Sequence, residues 1–109
     1  MTVTLYGLKN CDTCKKALKA LPGAQFVDIR AEADLPAKLP GWLEAAGAKA
    51  LVNTRSTTWR GLDEDERARS ESEPAALLAE HPTLIKRPVI EAGGAVHVGW
   101  NKAVEAALA

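Results

Sequence analysis

Two cysteines, Cys11 and Cys14, are separated by two residues and are the only cysteines of the 109-residue chain. Two thiols are too few for a disulfide scaffold, and a C-x-x-C spacing in a reducing compartment indicates redox chemistry or metal binding. Zinc requires more ligands, and the two histidines, His81 and His97, do not fall at a zinc-finger spacing. We therefore expect a redox-active centre at these cysteines and no metal.

Cys11 falls where a predicted strand has ended and a helix begins. Unpaired N–H groups and the helix dipole favour a thiolate at that position, so the pKa of the thiol can fall well below its free value of about 8.5. Lys9, Lys15 and Lys16 add positive charge nearby. We interpret Cys11 as the attacking nucleophile.

Cys14 lies one turn further along the helix, on its apolar side. It should be the less exposed sulfur, placed to resolve a mixed disulfide formed on Cys11. An alternative is that the cysteines are small hydrophobic core residues, and this alternative has more weight for Cys14.

The elements that position these thiols follow from the hydrophobic pattern. A strand is predicted at 2–6, a helix that begins at Cys11 and is stopped by Pro22 and Gly23, a second strand at 25–29 and a hairpin from two strands at 89–91 and 96–98. A final helix follows Asn101, and helical patterns occupy much of the middle, where we interpret the charged run 63–69 as solvated surface. This order predicts a single α/β domain over 1–109 with a thioredoxin-like fold. Its mixed four-stranded sheet is flanked by helices, and a helical section is inserted at about 35–82.

Arg87 and Pro88 stand directly before the predicted hairpin. In a thioredoxin-type fold the proline at this position is cis and faces the C-x-x-C loop, which would direct the backbone of Arg87 toward a thiol substrate. Arg87 would also bring a charge near Cys11 that suits a carboxylate or an oxyanion. The alternative is a strand-entry proline beside a surface arginine.

A polar segment at 53–57 is of a kind that binds anions or caps helices, with capping equally favoured. We assign catalytic roles to Cys11, Cys14 and Arg87. The candidate substrate-binding residues are Lys9, Asn10, Asn53, Arg55 and Pro88.

The composition excludes several classes of function. Lys and Arg together number 14, as do Asp and Glu, and this balance argues against direct nucleic-acid binding. No apolar run approaches the roughly 20 residues that cross a membrane, and the N-terminus lacks a secretion signal. We expect a cytoplasmic monomer that carries no bound cofactor.

Three segments carry a resemblance to a known family: 6–17 (YGLKNCDTCKKA), 53–55 (NTR) and 84–89 (LIKRPV). Together they resemble the glutathione/glutaredoxin-coupled arsenate reductase (ArsC) family, and within it the short YffB-like branch. The Spx transcription regulators belong to the same superfamily and also carry a C-x-x-C pair. The resemblance spans nearly the whole chain and implies a thioredoxin-like fold with a helical insert.

The resemblance also implies roles. Cys11 matches the cysteine that attacks arsenate before glutathione attacks the adduct, and Arg87 matches one of three oxyanion-site arginines. Asn53 and Trp100 occupy the other two arginine positions, and Arg55 lies close enough to substitute for the first. Gly7 occupies the position of a histidine near the nucleophile. These departures disfavour arsenate as the substrate.

Three functions follow in order of preference. The first is a glutathione-dependent thiol-disulfide reductase that uses glutathione, with glutaredoxin as a further candidate partner. The second is an arsenate reductase. The third is an Spx-like redox-sensing regulator that binds RNA polymerase.

Overall fold

The computed structural model describes residues 2–108, and their contacts divide into two units. One unit comprises the residues up to Ala33 and those from Arg87 onward, and the other is Asp34–Lys86. The elements in chain order are β1 Val3–Gly7, α1 Asp12–Ala20, β2 Gln25–Asp28, α2 Leu35–Ala46, α3 Ala48–Leu51, α4 Thr57–Arg60, α5 Glu64–Ser72, α6 Pro74–Glu80, a 3₁₀ helix Pro82–Leu84, β3 Val89–Ala92, β4 Ala95–Val98 and α7 Lys102–Leu108.

The first unit contains one mixed sheet with strand order β2-β1-β3-β4. The β1–β2 pair is parallel, and α1 supplies the crossover connection that parallel strands need. The other two pairs are antiparallel. The predicted mixed four-stranded α/β sheet is confirmed.

The core of this unit lies on one face of the sheet. Leu5 of β1 and Ile90 of β3 are paired in register and are both fully buried. Cys14 and Ala17 of α1 and Val104 of α7 pack in the same cluster. Both helices therefore use their apolar faces to cover β1 and β3, which fixes the first turn of α1 at the end of β1.

Two local devices complete the first unit. Gly93 and Gly94 adopt φ values of 55° and 84°, which suit the two-residue loop of the β3–β4 hairpin. Asn101 Oδ1 accepts a hydrogen bond from the backbone N–H of Val104 at 3.0 Å, so this side chain caps α7 as the sequence predicts.

The second unit has a separate apolar core built around α2 and α6. Leu39 and Trp42 of α2 and Leu77 and Leu78 of α6 are each at most 1% exposed. The Asp34 side chain caps α2, which accommodates a proline in its interior.

The charged run 63–69 forms most of α5, a helix that the sequence interpretation did not assign. Asp63 Oδ1 accepts from the backbone N–H of Glu66 at 2.8 Å and so caps the helix. Arg69 then forms ion pairs with Glu66, Glu73 and Glu80, which link α5 to α6. The sequence of α5 has no apolar periodicity, and none of its residues is buried. Hydrophobic periodicity therefore could not predict this helix.

Among residues 2–108, no helix has the length and apolar character needed to cross a membrane.

Candidate active site

Cys11 is the residue from which α1 begins. Its backbone is extended, with φ −92° and ψ 120°, and its carbonyl accepts the first helical hydrogen bond, from Lys15 N–H at 3.0 Å. The Cys11 N–H donates to the Leu8 carbonyl at 3.1 Å, which closes the loop after β1. The thiol is partly exposed. Cys11 is therefore accessible to a reagent in solution, while hydrogen bonds of its N–H and its carbonyl fix its backbone.

The surroundings of Cys11 favour its ionised form. Partial burial acts to raise the pKa of the thiol, but hydrogen bonding to the backbone and thiol of Cys14 and to the Arg87 side chain outweighs it and lowers the pKa. The charge of Arg87 acts in the same direction. The cation that acts on Cys11 is thus Arg87, whereas the sequence analysis had also pointed to the neighbouring lysines.

Cys14 has the opposite character. It is fully buried in the core cluster, and burial, together with the nearby Cys11 sulfur, raises its pKa to about 11. At pH 7 the Cys14 thiol therefore keeps its proton. Cys14 therefore acts at neutral pH as a hydrogen-bond donor to Cys11 and not as a competing nucleophile.

Gly7 is a site residue whose contact the sequence analysis did not identify. It ends β1 and is buried, and a Cβ built on it would lie 2.5 Å from Cys14 Sγ. The sequence contains no local signal for this contact, because it joins the end of a strand to a helix that only the folded sheet brings alongside.

Arg87 and Pro88 enter the site from the segment before β3. Their peptide bond is cis, as expected. Pro88 is fully buried, and its carbonyl accepts from the Gly99 N–H at 2.8 Å. The structure therefore brings together Cys11, Cys14 and Arg87, the three residues that we assigned catalytic roles.

The remaining candidates have different settings. Lys9 and Asn10 are exposed in the loop before Cys11. Asn53 and Arg55 belong to the second unit, where the Asn53 side chain accepts from the Arg55 backbone N–H at 3.1 Å. The helix cap in this segment is Ser56, whose Oγ accepts from the Trp59 N–H at 3.1 Å at the start of α4. A role of Asn53 and Arg55 in substrate binding stays a prediction. Trp100 packs against the same cluster as Cys14.

Residues 2–108 contain no group of three or more His, Cys, Asp and Glu side chains arranged to hold a metal ion. The chemistry that the described side chains can supply is that of a partly exposed thiolate, held next to a guanidinium and a protonated thiol.

A family model for the ArsC family matches residues 6–107. The chain belongs to the ArsC family. This confirms the family predicted from the motifs. As a member of this family, the chain is an arsenate reductase-like protein.

Two relatives differ in their sequence identity to this chain and in how much of each chain the match covers. A protein of Haemophilus influenzae is 42% identical, and the match covers 98% of this chain and 99% of that protein. The global transcriptional regulator Spx of Streptococcus mutans is 28% identical over 92% of this chain and 77% of its own length.

Solved structures agree with the fold. A YffB protein superposes with a TM-score of 0.87 at 36% identity and 98% coverage of both chains. An arsenate reductase (ArsC) related protein from Brucella melitensis superposes with a TM-score of 0.76, also at 36% identity, over 98% of this chain and 93% of that one. The predicted thioredoxin-like fold of the ArsC family is confirmed.

Proposed function

We propose that this chain is a glutathione-dependent thiol-disulfide reductase that uses Cys11 as its nucleophile. The observation that carries the proposal is the contrast between the two sulfurs. One is partly exposed with a lowered pKa, and the other is buried with a pKa raised to about 11. A single activated thiolate is sufficient for exchange with glutathione mixed disulfides.

The first step is attack by the Cys11 thiolate on the glutathione sulfur of a protein–glutathione mixed disulfide. The Cys11–glutathione disulfide forms, the original S–S bond breaks, and the substrate leaves as a thiolate that then takes a proton. The Arg87 guanidinium stabilises the Cys11 thiolate before the attack and presents a charge suited to a carboxylate of the tripeptide.

The second step regenerates Cys11. A second glutathione thiolate attacks the sulfur of the glutathione already attached to Cys11, which forms glutathione disulfide and releases the Cys11 thiolate. Attack by Cys14 would instead form a Cys11–Cys14 disulfide and release glutathione. Cys14 must first lose a proton that burial holds firmly, so the route through glutathione should dominate at neutral pH.

A coupled assay tests this proposal. The protein is incubated with a glutathionylated peptide, glutathione, glutathione reductase and NADPH, and loss of NADPH is followed. Wild type and Cys14→Ser should turn over, because both retain Cys11, and Cys11→Ser should not. Mass spectrometry should find glutathione attached to Cys11 in Cys14→Ser.

Either of two outcomes would contradict the proposal. One is the absence of turnover in wild-type protein that alkylation shows to be reduced and reactive. The other is a Cys11→Ser protein that retains activity through Cys14, which would reverse the roles assigned to the sulfurs. A reducing, cytoplasmic location is part of the same proposal, since the nucleophile must be a reduced thiol.

Arsenate reduction is the second candidate, and the contact between Arg87 and Cys11 favours it. In that reaction Cys11 attacks arsenate, and glutathione with glutaredoxin supplies the two electrons that release arsenite. Arsenate-dependent NADPH loss, absent in Cys11→Ser, would establish this activity. Asn53 and Trp100 stand where family reductases carry arginine, and for that reason we rank arsenate below a thiol substrate.

A third candidate is a redox-sensing regulator, favoured by the similarity to Spx over 92% of this chain. A balanced net charge suits contact with a protein and not with DNA. Capture by the C-terminal domain of the RNA polymerase alpha subunit, tested with oxidised and reduced protein, decides this candidate. Absence of binding in both states would remove it.

A further inference from the structure

The end of β1 passes directly against the buried thiol of α1. A Cβ placed on Gly7 would lie 2.5 Å from Cys14 Sγ and 3.3 Å from Leu5 Cδ2. The first distance is far inside van der Waals contact. Gly7 does not have a positive φ, so its backbone conformation is open to any residue. Glycine is therefore required here by space and not by conformation.

The Cys14 sulfur has little room to give way. The residue is fully buried in a cluster with Leu5, Ala17 and Ile90. Its sulfur can move only by rotation about χ1, and in a helix one of the three χ1 rotamers runs into the preceding turn. A side chain at position 7 would therefore turn the sulfur out of its present place.

We propose that Gly7 is a positioning residue for the redox centre: its missing side chain provides the space in which Cys14 Sγ lies beside Cys11. The inference rests on the proposed function in that it concerns the same two thiols. From this place the Cys14 thiol hydrogen-bonds to Cys11. The charged group that acts on Cys11 is Arg87, which enters from the segment before β3. The three atoms nearest to a Cβ at position 7 belong to Cys14 and Leu5 and not to Arg87.

The test compares wild type, Gly7→Ala, Cys14→Ala and the double variant by the pH dependence of Cys11 alkylation with iodoacetamide. In Gly7→Ala the midpoint should move to higher pH, as in Cys14→Ala, and the rate at neutral pH should fall several-fold. The fall is smaller than the loss of thiolate, because a more basic thiolate is a better nucleophile. In the Cys14→Ala background Gly7→Ala should cause no further shift, since alanine at position 14 has no sulfur to displace.

Gly23→Ala is the matched control. A Cβ on Gly23 meets nothing within 4 Å and the residue does not have a positive φ, so its alkylation profile should match that of wild type. A Gly7→Ala profile identical to that of wild type, or equal shifts in both backgrounds, would overturn the proposal.

Stability provides a second readout if Gly7→Ala fails to fold. Restored folding in Gly7→Ala/Cys14→Ala would support the contact, whereas failure of the double variant as well would assign Gly7 a different role and overturn it. The coupled assay separates the two proposals. Coupling here means that Gly7→Ala shifts the alkylation profile only when Cys14 is present. Normal glutathione turnover without this coupling rejects only this inference. Coupling without turnover rejects only the proposed function.

Discussion

Two sulfurs on successive turns of one helix differ in protonation because one lies at the helix start and the other inside the core. Cys11 is partly exposed and interacts with Arg87, whereas Cys14 is fully buried. The difference requires no catalytic base, since a cation and a neighbouring thiol already favour the charged form of Cys11.

Arg87→Gln removes the charge that acts on Cys11 and should raise the pKa of the Cys11 thiol. Alkylation of Cys11 at neutral pH should slow several-fold, and the midpoint of its pH profile should move upward. Lys19→Gln is the control, because Lys19 is an exposed cation in the last turn of α1, away from Cys11. Equal slowing in both variants would mean that general positive charge, and not Arg87, activates the thiol.

Cys14 should make the protein less stable in alkali. The free value of about 8.5 applies when the chain is unfolded, and burial raises the pKa of the Cys14 thiol to about 11 in the fold. Between these values the unfolded state has lost the proton and the folded state retains it, so the free energy of unfolding falls as pH rises. The loss should reach about 3 kcal/mol, at about 1.4 kcal/mol for each unit of pKa difference.

Chemical denaturation from pH 8 to 11 under reducing conditions measures this loss. Other groups titrate in the same range, so the informative quantity is the difference between wild type and Cys14→Ala, in which this part of the slope should be absent. Parallel curves would show that the Cys14 thiol ionises as readily in the fold as outside it.

Much of the site was predictable because its chemistry is encoded in local sequence. The C-x-x-C spacing, the helix start and the arginine–proline pair are all short motifs. The contact between Gly7 and Cys14 was not, since it depends on how closely α1 approaches β1. The source of the positive charge was predicted only in part, because the sequence indicated both Arg87 and the neighbouring lysines, and Arg87 is the cation that lowers the pKa of Cys11.

At the scale of single elements, α7 depends on its cap. Asn101→Ala removes the side chain that accepts from Val104 N–H, and the expected loss is about 1 kcal/mol of unfolding free energy. Asn10→Ala, at an exposed loop position, should cost less, and urea denaturation of the two variants makes the comparison. If the two variants were equally stable, the Asn101 cap would contribute nothing.

Elements with a strong apolar pattern or a distinctive turn were predicted from sequence nearly to their ends. The β3–β4 hairpin follows from its glycine pair, and α6 begins at Pro74 as expected. In contrast, α5 has no buried residue and is organised by a cap and by the ion pairs of Arg69, so hydrophobic periodicity could not reveal it.

At the scale of the whole molecule, the outer strands of the sheet affect whether two copies of the chain can pair through their sheet edges. The strands β2 and β4 have four residues each, and β2 ends at Asp28, whose side chain accepts from the backbone N–H groups of Arg30 and Ala31 at 2.8 Å each. Short outer strands with a charged end are poor templates for pairing with another chain.

The protein should therefore sediment as a monomer of 11.6 kDa over a wide concentration range under reducing conditions. Sedimentation equilibrium makes the measurement. A mass that rises with concentration in reducing buffer would contradict the expectation. A dimer that appears only without reductant would instead indicate a disulfide between the partly exposed Cys11 residues of two copies.

The complete burial of Cys14 has a practical consequence. In the native protein a maleimide should couple once, at Cys11, and the second coupling must wait until α1 separates from the sheet. With Cys11 already blocked, the rate of the second coupling records how often this part of the molecule opens. Cys14 thus serves as a native probe of local unfolding, because mass spectrometry can follow its labelling without any group being introduced into the core.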